Sequence, residues 1–139
     1  MRLPSSKTTP ITVAAVGGVL YAIGVLSWLF SNGVYFTSQE PATLAFGAGY
    51  AVIGMVLTGA VPLYLCSRLW LVTPVLVTLW LLGNTVSEWL YGTHLHPLSS
   101  YLTVWPLLLG VAVGAGGVEA LVRVGLDRGV GRFGLRPLV

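Results

Sequence analysis

Charge is what this chain has least of. Of its 139 residues only 8% are Asp, Glu, Lys or Arg, against roughly a quarter in soluble proteins. With 55% hydrophobic residues and a mean hydropathy of +0.87, a water-soluble domain of this length has no interior large enough for its apolar surface. A bilayer removes that difficulty, because lipid replaces water around the helix exteriors. The length suits one domain and is short for two. Cysteine is scarce too. Cys66 stands alone, which excludes an internal disulfide framework and a multi-cysteine metal site. It reads as a small apolar residue at a helix end, on the side expected to be reducing.

Catalytic signatures are also missing. The chain has no Gly-x-Ser-x-Gly, Walker, His-Glu-x-x-His or Cys-x-x-Cys sequence, so no catalytic residue, metal or cofactor is predicted. Gly110, Gly114, Gly116 and Gly117 lack the lysine and the preceding strand of a phosphate loop. The net charge of +3 comes from cations that flank apolar runs. Nucleic-acid binding needs clustered charge on a polar surface, so the bilayer is the expected partner and nucleic acid is not.

What is present is apolar sequence in span-sized pieces. Ile11 to Phe30 runs without a charge, about 20 residues and enough to cross a hydrocarbon core. A basic start before an apolar run also fits a secretory signal. This run exceeds the usual ~7–15 residues of a signal core and no Ala-x-Ala site follows, so an uncleaved first span is expected. After a loop with Ser-Asn-Gly and Thr-Ser-Gln-Glu-Pro, further spans are predicted at about 42–66, 69–91 and 101–122. Pro41 suits a first helical turn. Pro74 lies early in its helix, Pro62 is expected to kink the end of the second, and Pro106 falls in the early turns of the fourth. Ser67-Arg68 is read as the tight turn between the second and third spans. The fold class is therefore all-α: a polytopic integral membrane protein, a four-helix transmembrane bundle with short loops. Residues 1–10 precede the membrane domain of 11–122, and 123–139 form a basic tail. Glu119, Arg123 and Asp127 at i, i+4, i+8 carry the helix into that tail, and the glycines beyond Gly129 argue against its continuing.

Orientation follows from the cations. With the N-terminus inside, four spans return the C-terminus inside, and Arg2, Lys7, Arg68, Arg123, Arg128, Arg132 and Arg136 all face the cytoplasm. No Lys or Arg is left for either outer loop, as the positive-inside rule requires. The expected location is the cell membrane. Aromatic residues agree, gathering at the outer interface as Trp28, Phe30, Tyr35, Phe36, Trp89, Tyr91, Tyr101 and Trp105.

Helices in lipid associate through small residues. The second span offers Gly47, Ala51 and Gly54, continued by Thr58. The fourth offers Gly110, Gly114 and Gly117, with Ala112, Gly116 and Ala120 on a neighbouring face. These seams predict a tight bundle, with one to spare for a partner or second copy. The third span has no such ladder. Its Leu and Trp side chains are expected to fill the space beside the glycine-lined helices, so Gly110→Ile is expected to lower the melting temperature.

The polar candidates cluster at the outer end of the third span. Asn84, Ser87 and Glu88 precede a loop with His94 and His96. Ionisable groups within a span are functional suspects, and Glu88 lies about one turn from the helix end, where an interfacial carboxylate is the simpler reading. Asn84 sits two turns inside and must find a hydrogen-bonding partner, either on a neighbouring helix or in a substrate. An H-x-H pair can grip a metal with a third ligand such as Glu88 or Glu40; a solvated loop or a pH-responsive patch are the alternatives. Glu119 with Arg123 reads as a structural pair. The leading functional expectation is a non-enzymatic structural or accessory subunit that works through helix contacts with itself or another membrane protein. The alternative is a subunit of a small oligomeric transporter or channel, with Asn84, Ser87 and Glu88 lining an outer vestibule. A membrane enzyme would need Glu88, His94 and His96 to converge.

Overall fold

The computed structural model describes residues 8–37, 39–92 and 97–132. These residues form five helices and no strand: α1 (Thr8–Ser31), α2 (Pro41–Leu69), α3 (Thr73–Tyr91), α4 (Pro97–Thr103) and α5 (Trp105–Arg132). Three are long and apolar enough to cross a membrane, over Thr9–Ser31, Pro41–Leu69 and Trp105–Arg128. At 19 residues, α3 has the length, but Asn84, Ser87 and Glu88 lower its hydropathy. An all-helical fold with membrane-compatible helices agrees with the sequence.

The long helices alternate in direction. α1 and α2 cross closest at Gly18 and Gly59. A Cβ on Gly18 would stand 2.7 Å from both Ala60 Cβ and the Val56 carbonyl oxygen, and one on Gly59 would stand 3.1 Å from Gly18 Cα. Trp28 of α1 and Trp89 of α3 meet edge to face at 5.6 Å, which marks the distal end of the bundle. At the proximal end Pro74 of α3 packs onto Gly116 of α5. The main apolar core lies toward the distal end. There Leu98, Tyr101 and Leu102 of α4, spaced along one face, pack with Ala22, Val25 and Leu29 of α1 and Ala51 and Met55 of α2.

Several boundaries differ from the sequence expectation, each for a local reason. The expected fourth span is two helices broken at Val104. Pro106 has no N–H for the Leu102 carbonyl and its ring disfavours an unbroken turn, and Leu107 N bonds Val104 O at 2.9 Å instead of reaching Thr103. The freed Thr103 carbonyl accepts from Tyr50 Oη at 3.0 Å, which ties the break to α2. The α2–α3 turn is Trp70–Val72 rather than Ser67-Arg68, because α2 continues through Pro62 to Leu69. It closes on Trp70 in the left-handed region (φ 58°), whose N–H reaches Cys66 O while Leu71 N reaches Leu65 O. α5 also runs past Gly129 to Arg132. Extending an existing helix avoids the nucleation cost, so a glycine adds only its propensity penalty of ~1 kcal/mol.

The glycine seams divide. Ala51 is buried, and a Cβ on Gly54 would enter the indole of Trp105. On α5 it is the neighbouring face, with Ala112 and Gly116 buried, that packs inward. Gly110, Gly114 and Gly117 are exposed and Gly47 is half-buried, and a Cβ added to any of the four would meet no atom within 4 Å. The bulky residues of α3 do not fill the glycine-lined space as expected. Trp80 and Leu79 are 67% and 56% exposed, and the fillers are Trp105 at Gly54 and Pro74 at Gly116. Gly110→Ile thus has room on the outside and is expected to leave the fold intact.

Candidate functional site

Of the candidate rim residues, Asn84, Ser87 and Glu88 lie within about one turn of α3. Asn84 and Ser87 are exposed on the outward face of α3. No hydrogen bond joins the Asn84 carboxamide to another described residue. Glu88 is half-buried one turn further on, its carboxylate folded against Gly92, whose N–H donates to the Glu88 carbonyl at 2.9 Å. His94 and His96 lie outside the described residues. Among the described residues no three metal-ligating side chains come together.

The distal end holds a polar hollow of about 470 Å³, and the described residues that line it are not Asn84, Ser87 or Glu88. Asn32, Tyr35 and Thr37 come from the α1–α2 loop, Trp89 from the end of α3, and Leu98 and Ser99 from α4. Asn32 is held by its own helix end, with Nδ2 donating to the Trp28 carbonyl at 2.7 Å. Gly33, at φ 86°, then turns the chain in a conformation L side chains resist. The signal in the sequence was the Ser-Asn-Gly stop after Phe30 together with flanking aromatics. It reads as a loop and gives no hint that α4 folds back over it.

Below the hollow, α1 and α3 both lean on α2 and leave an apolar furrow of about 410 Å³, bounded by Leu20, Gly24, Trp28, Leu82 and Val86. Tyr21 stands in it and shares a hydrogen bond with Tyr101 through their hydroxyls. The polar groups buried in the described bundle are likewise satisfied locally. Thr58 donates to Gly54 O at 2.7 Å and Thr78 to Pro74 O at 2.9 Å, the back-bonding expected of hydroxyls inside helices. The exception is Trp105 Nε1, buried without an acceptor among the described residues.

At the proximal end an acid of α5 meets the start of α3. α3 starts at Val72-Thr73-Pro74 with no side-chain cap of its own, so its first N–H groups need an acceptor. Glu119, on α5, supplies it: Oε2 accepts from Thr73 N at 2.9 Å and Oε1 from Val72 N at 3.4 Å. The carboxylate also pairs with Arg123 one turn along. A carboxylate at a helix N-terminus gains from both the free donors and the helix dipole. The intrahelical pair with Arg123 was visible as i, i+4 spacing. The cap was not, although an uncapped helix start and an acid in a facing span together are its signal.

No family model, curated protein or solved structure matches this chain.

Proposed function

We propose that this chain is a four-span membrane protein of the cell membrane that acts as a non-enzymatic structural or accessory subunit through helix–helix contacts. α3 is the fourth span in this reading. It runs alongside α2 and α5, with Trp89 level with Trp28 at one end and Thr73 capped by Glu119 at the other. At 19 residues it is long enough to cross a hydrocarbon core. The proximal end, which carries Arg68, Arg123 and Arg128, faces the cytoplasm by the positive-inside rule, so both termini are cytoplasmic.

The observation that supports the accessory role is the open seam on α5. The chain fills the space over Gly54, Gly59 and Gly116 with its own atoms and leaves Gly110, Gly114 and Gly117 exposed with nothing beside them. In lipid, helices gain by close van der Waals approach at small residues, and this ridge lacks its counterpart among the described residues. The buried threonines are back-bonded and the buried Tyr101 is paired with Tyr21, which favours packing over conduction through a single copy.

The test is co-purification from mild detergent with two differently tagged copies of the chain. The wild type is expected to bring down a second copy or a discrete membrane protein. Gly114→Leu should reduce recovery of the membrane protein seated on this seam several-fold at the wild-type melting temperature. Wild-type protein that runs as a monomer and retains nothing would sink the reading.

A further inference from the structure

We propose that a second copy of this chain docks on the outward face of α3, where Asn84 of each copy hydrogen-bonds Asn84 of the other across a two-fold axis along the membrane normal. The inference rests on the membrane-subunit reading above and names the partner. Asn84 is an exposed carboxamide without a hydrogen bond to any described residue. It lies seven positions before the end of α3 at Tyr91, about 10 Å below that end at 1.5 Å per residue. Hydrocarbon offers an amide no partner, and an unsatisfied group there costs several kcal/mol. Lysine and arginine escape this cost by snorkelling on long stems, but the side chain of Asn84 is one methylene long. Its satisfaction has to come from a polar group brought alongside at the same depth.

A second copy meets that requirement without further assumption. Both copies insert the same way, so Asn84 sits at one depth in each. A carboxamide carries donors and acceptors together, so two of them facing across a two-fold axis exchange reciprocal hydrogen bonds. An isologous interface of this kind closes at the dimer. The surrounding surface suits close approach. Leu76, Trp80, Gly83, Asn84, Ser87 and Tyr91 share one exposed side of α3, and beside Gly83 there is open space. Trp80 and Tyr91 are 67% and 85% exposed and would flank the amide pair above and below. The α5 seam is no part of this α3 face.

The experiment uses the full chain in liposomes at low protein-to-lipid ratio, on a Cys66→Ser background. Asn84→Cys should form a disulfide-linked dimer under mild oxidation, since bridging needs Cα atoms within about 7 Å. Gly114→Cys should form little. In an independent dissociation measurement by fluorescence transfer, Asn84→Leu should weaken dimerisation about 3- to 20-fold, the span of measured interhelical hydrogen bonds in membranes. Asn84→Gln should restore part of it, and neither should move the melting temperature. A dimer that cross-links at Gly114→Cys and not at Asn84→Cys overturns this interface and leaves the accessory reading standing. So does a chain that is monomeric in liposomes yet holds a different membrane protein. A monomer that holds nothing overturns both.

Discussion

Two residues illustrate how narrowly the backbone constrains single positions. At Gly18 a methyl group would meet the Val56 carbonyl oxygen at 2.7 Å, and backbone cannot step aside as a flexible side chain can. Gly18→Ala is therefore expected to destabilise the protein by about 1–3 kcal/mol, the usual cost of overpacking, whereas Gly114→Ala, with open space around it, should be neutral. Parallel thermal melts in one detergent compare them directly. Equal melting temperatures would mean that α1 and α2 do not approach at Gly18 and Gly59. Trp70 presents the opposite problem, a large side chain at φ 58°, where an L residue pays roughly 1–2 kcal/mol. Trp70→Ala and Trp70→Gly both delete the exposed indole, so their difference isolates the backbone. Trp70→Gly should be the more stable of the two by about 1 kcal/mol, read from the same melts. The sequence offers Gly18 only as one of many small-xxx-small positions, four residues after Ala14, and does not mark the backbone of Trp70. Glycine is common throughout these helices, and the close approach at Gly18 depends on which face meets α2.

At the scale of elements, α3 is held from both ends by its neighbours. Glu119 caps its first N–H groups from α5, so Glu119→Ala should lower the melting temperature and speed hydrogen exchange at the Val72 and Thr73 amides. Arg123→Ala should do much less, because its side chain is 48% exposed and makes a surface ion pair of small worth. Equal effects of the two substitutions would assign the stabilisation to the ion pair and not to the cap. At the distal end Tyr101→Phe removes the hydroxyl that bonds Tyr21 and should cost about 1 kcal/mol or less, as interhelical hydrogen bonds in membranes do. The existence of the long helices was legible because bilayer thickness sets a length that apolar runs such as Ile11 to Phe30 display openly. Their inward faces were not. In water a helix shows its buried side by contrast with a polar one, but in lipid both sides are apolar, so Gly54 and Gly110 look alike in sequence although one seats Trp105 and the other faces out. The break at Val104 was hidden for a different reason. Pro106 fits the first turn of a helix that starts just before it as well as the early turns of a longer one, and the break becomes visible only where Leu98, Tyr101 and Leu102 pack into the distal core as a separate short helix.

For the whole molecule the deciding property is whether α3 crosses the membrane, because it sets the side on which α4 and the end of α5 emerge. Only α1, α2 and α5 are apolar enough to qualify alone among the described helices. If α3 failed to cross, α5 would start in the cytoplasm and carry Arg123 and Arg128 to the outside, against the positive-inside rule. If it crosses, every cation stays inside and the exposed Asn84 lies within the hydrocarbon, where its need for a partner arises. Single cysteines on a Cys66→Ser background distinguish the two. Gln39, Leu69, Ser99 and Asp127 are all exposed and stand respectively in the first loop, at the end of α2, on α4 and late in α5. With four spans, a membrane-impermeant maleimide added to whole cells should label Gln39→Cys and Ser99→Cys at once, and Leu69→Cys and Asp127→Cys only after permeabilisation. A three-span chain exchanges the behaviour of Ser99→Cys and Asp127→Cys while leaving Gln39→Cys and Leu69→Cys unchanged. That exchange would also remove the physical basis for pairing at Asn84, since a carboxamide on a helix lying at the interface is satisfied by water and headgroups.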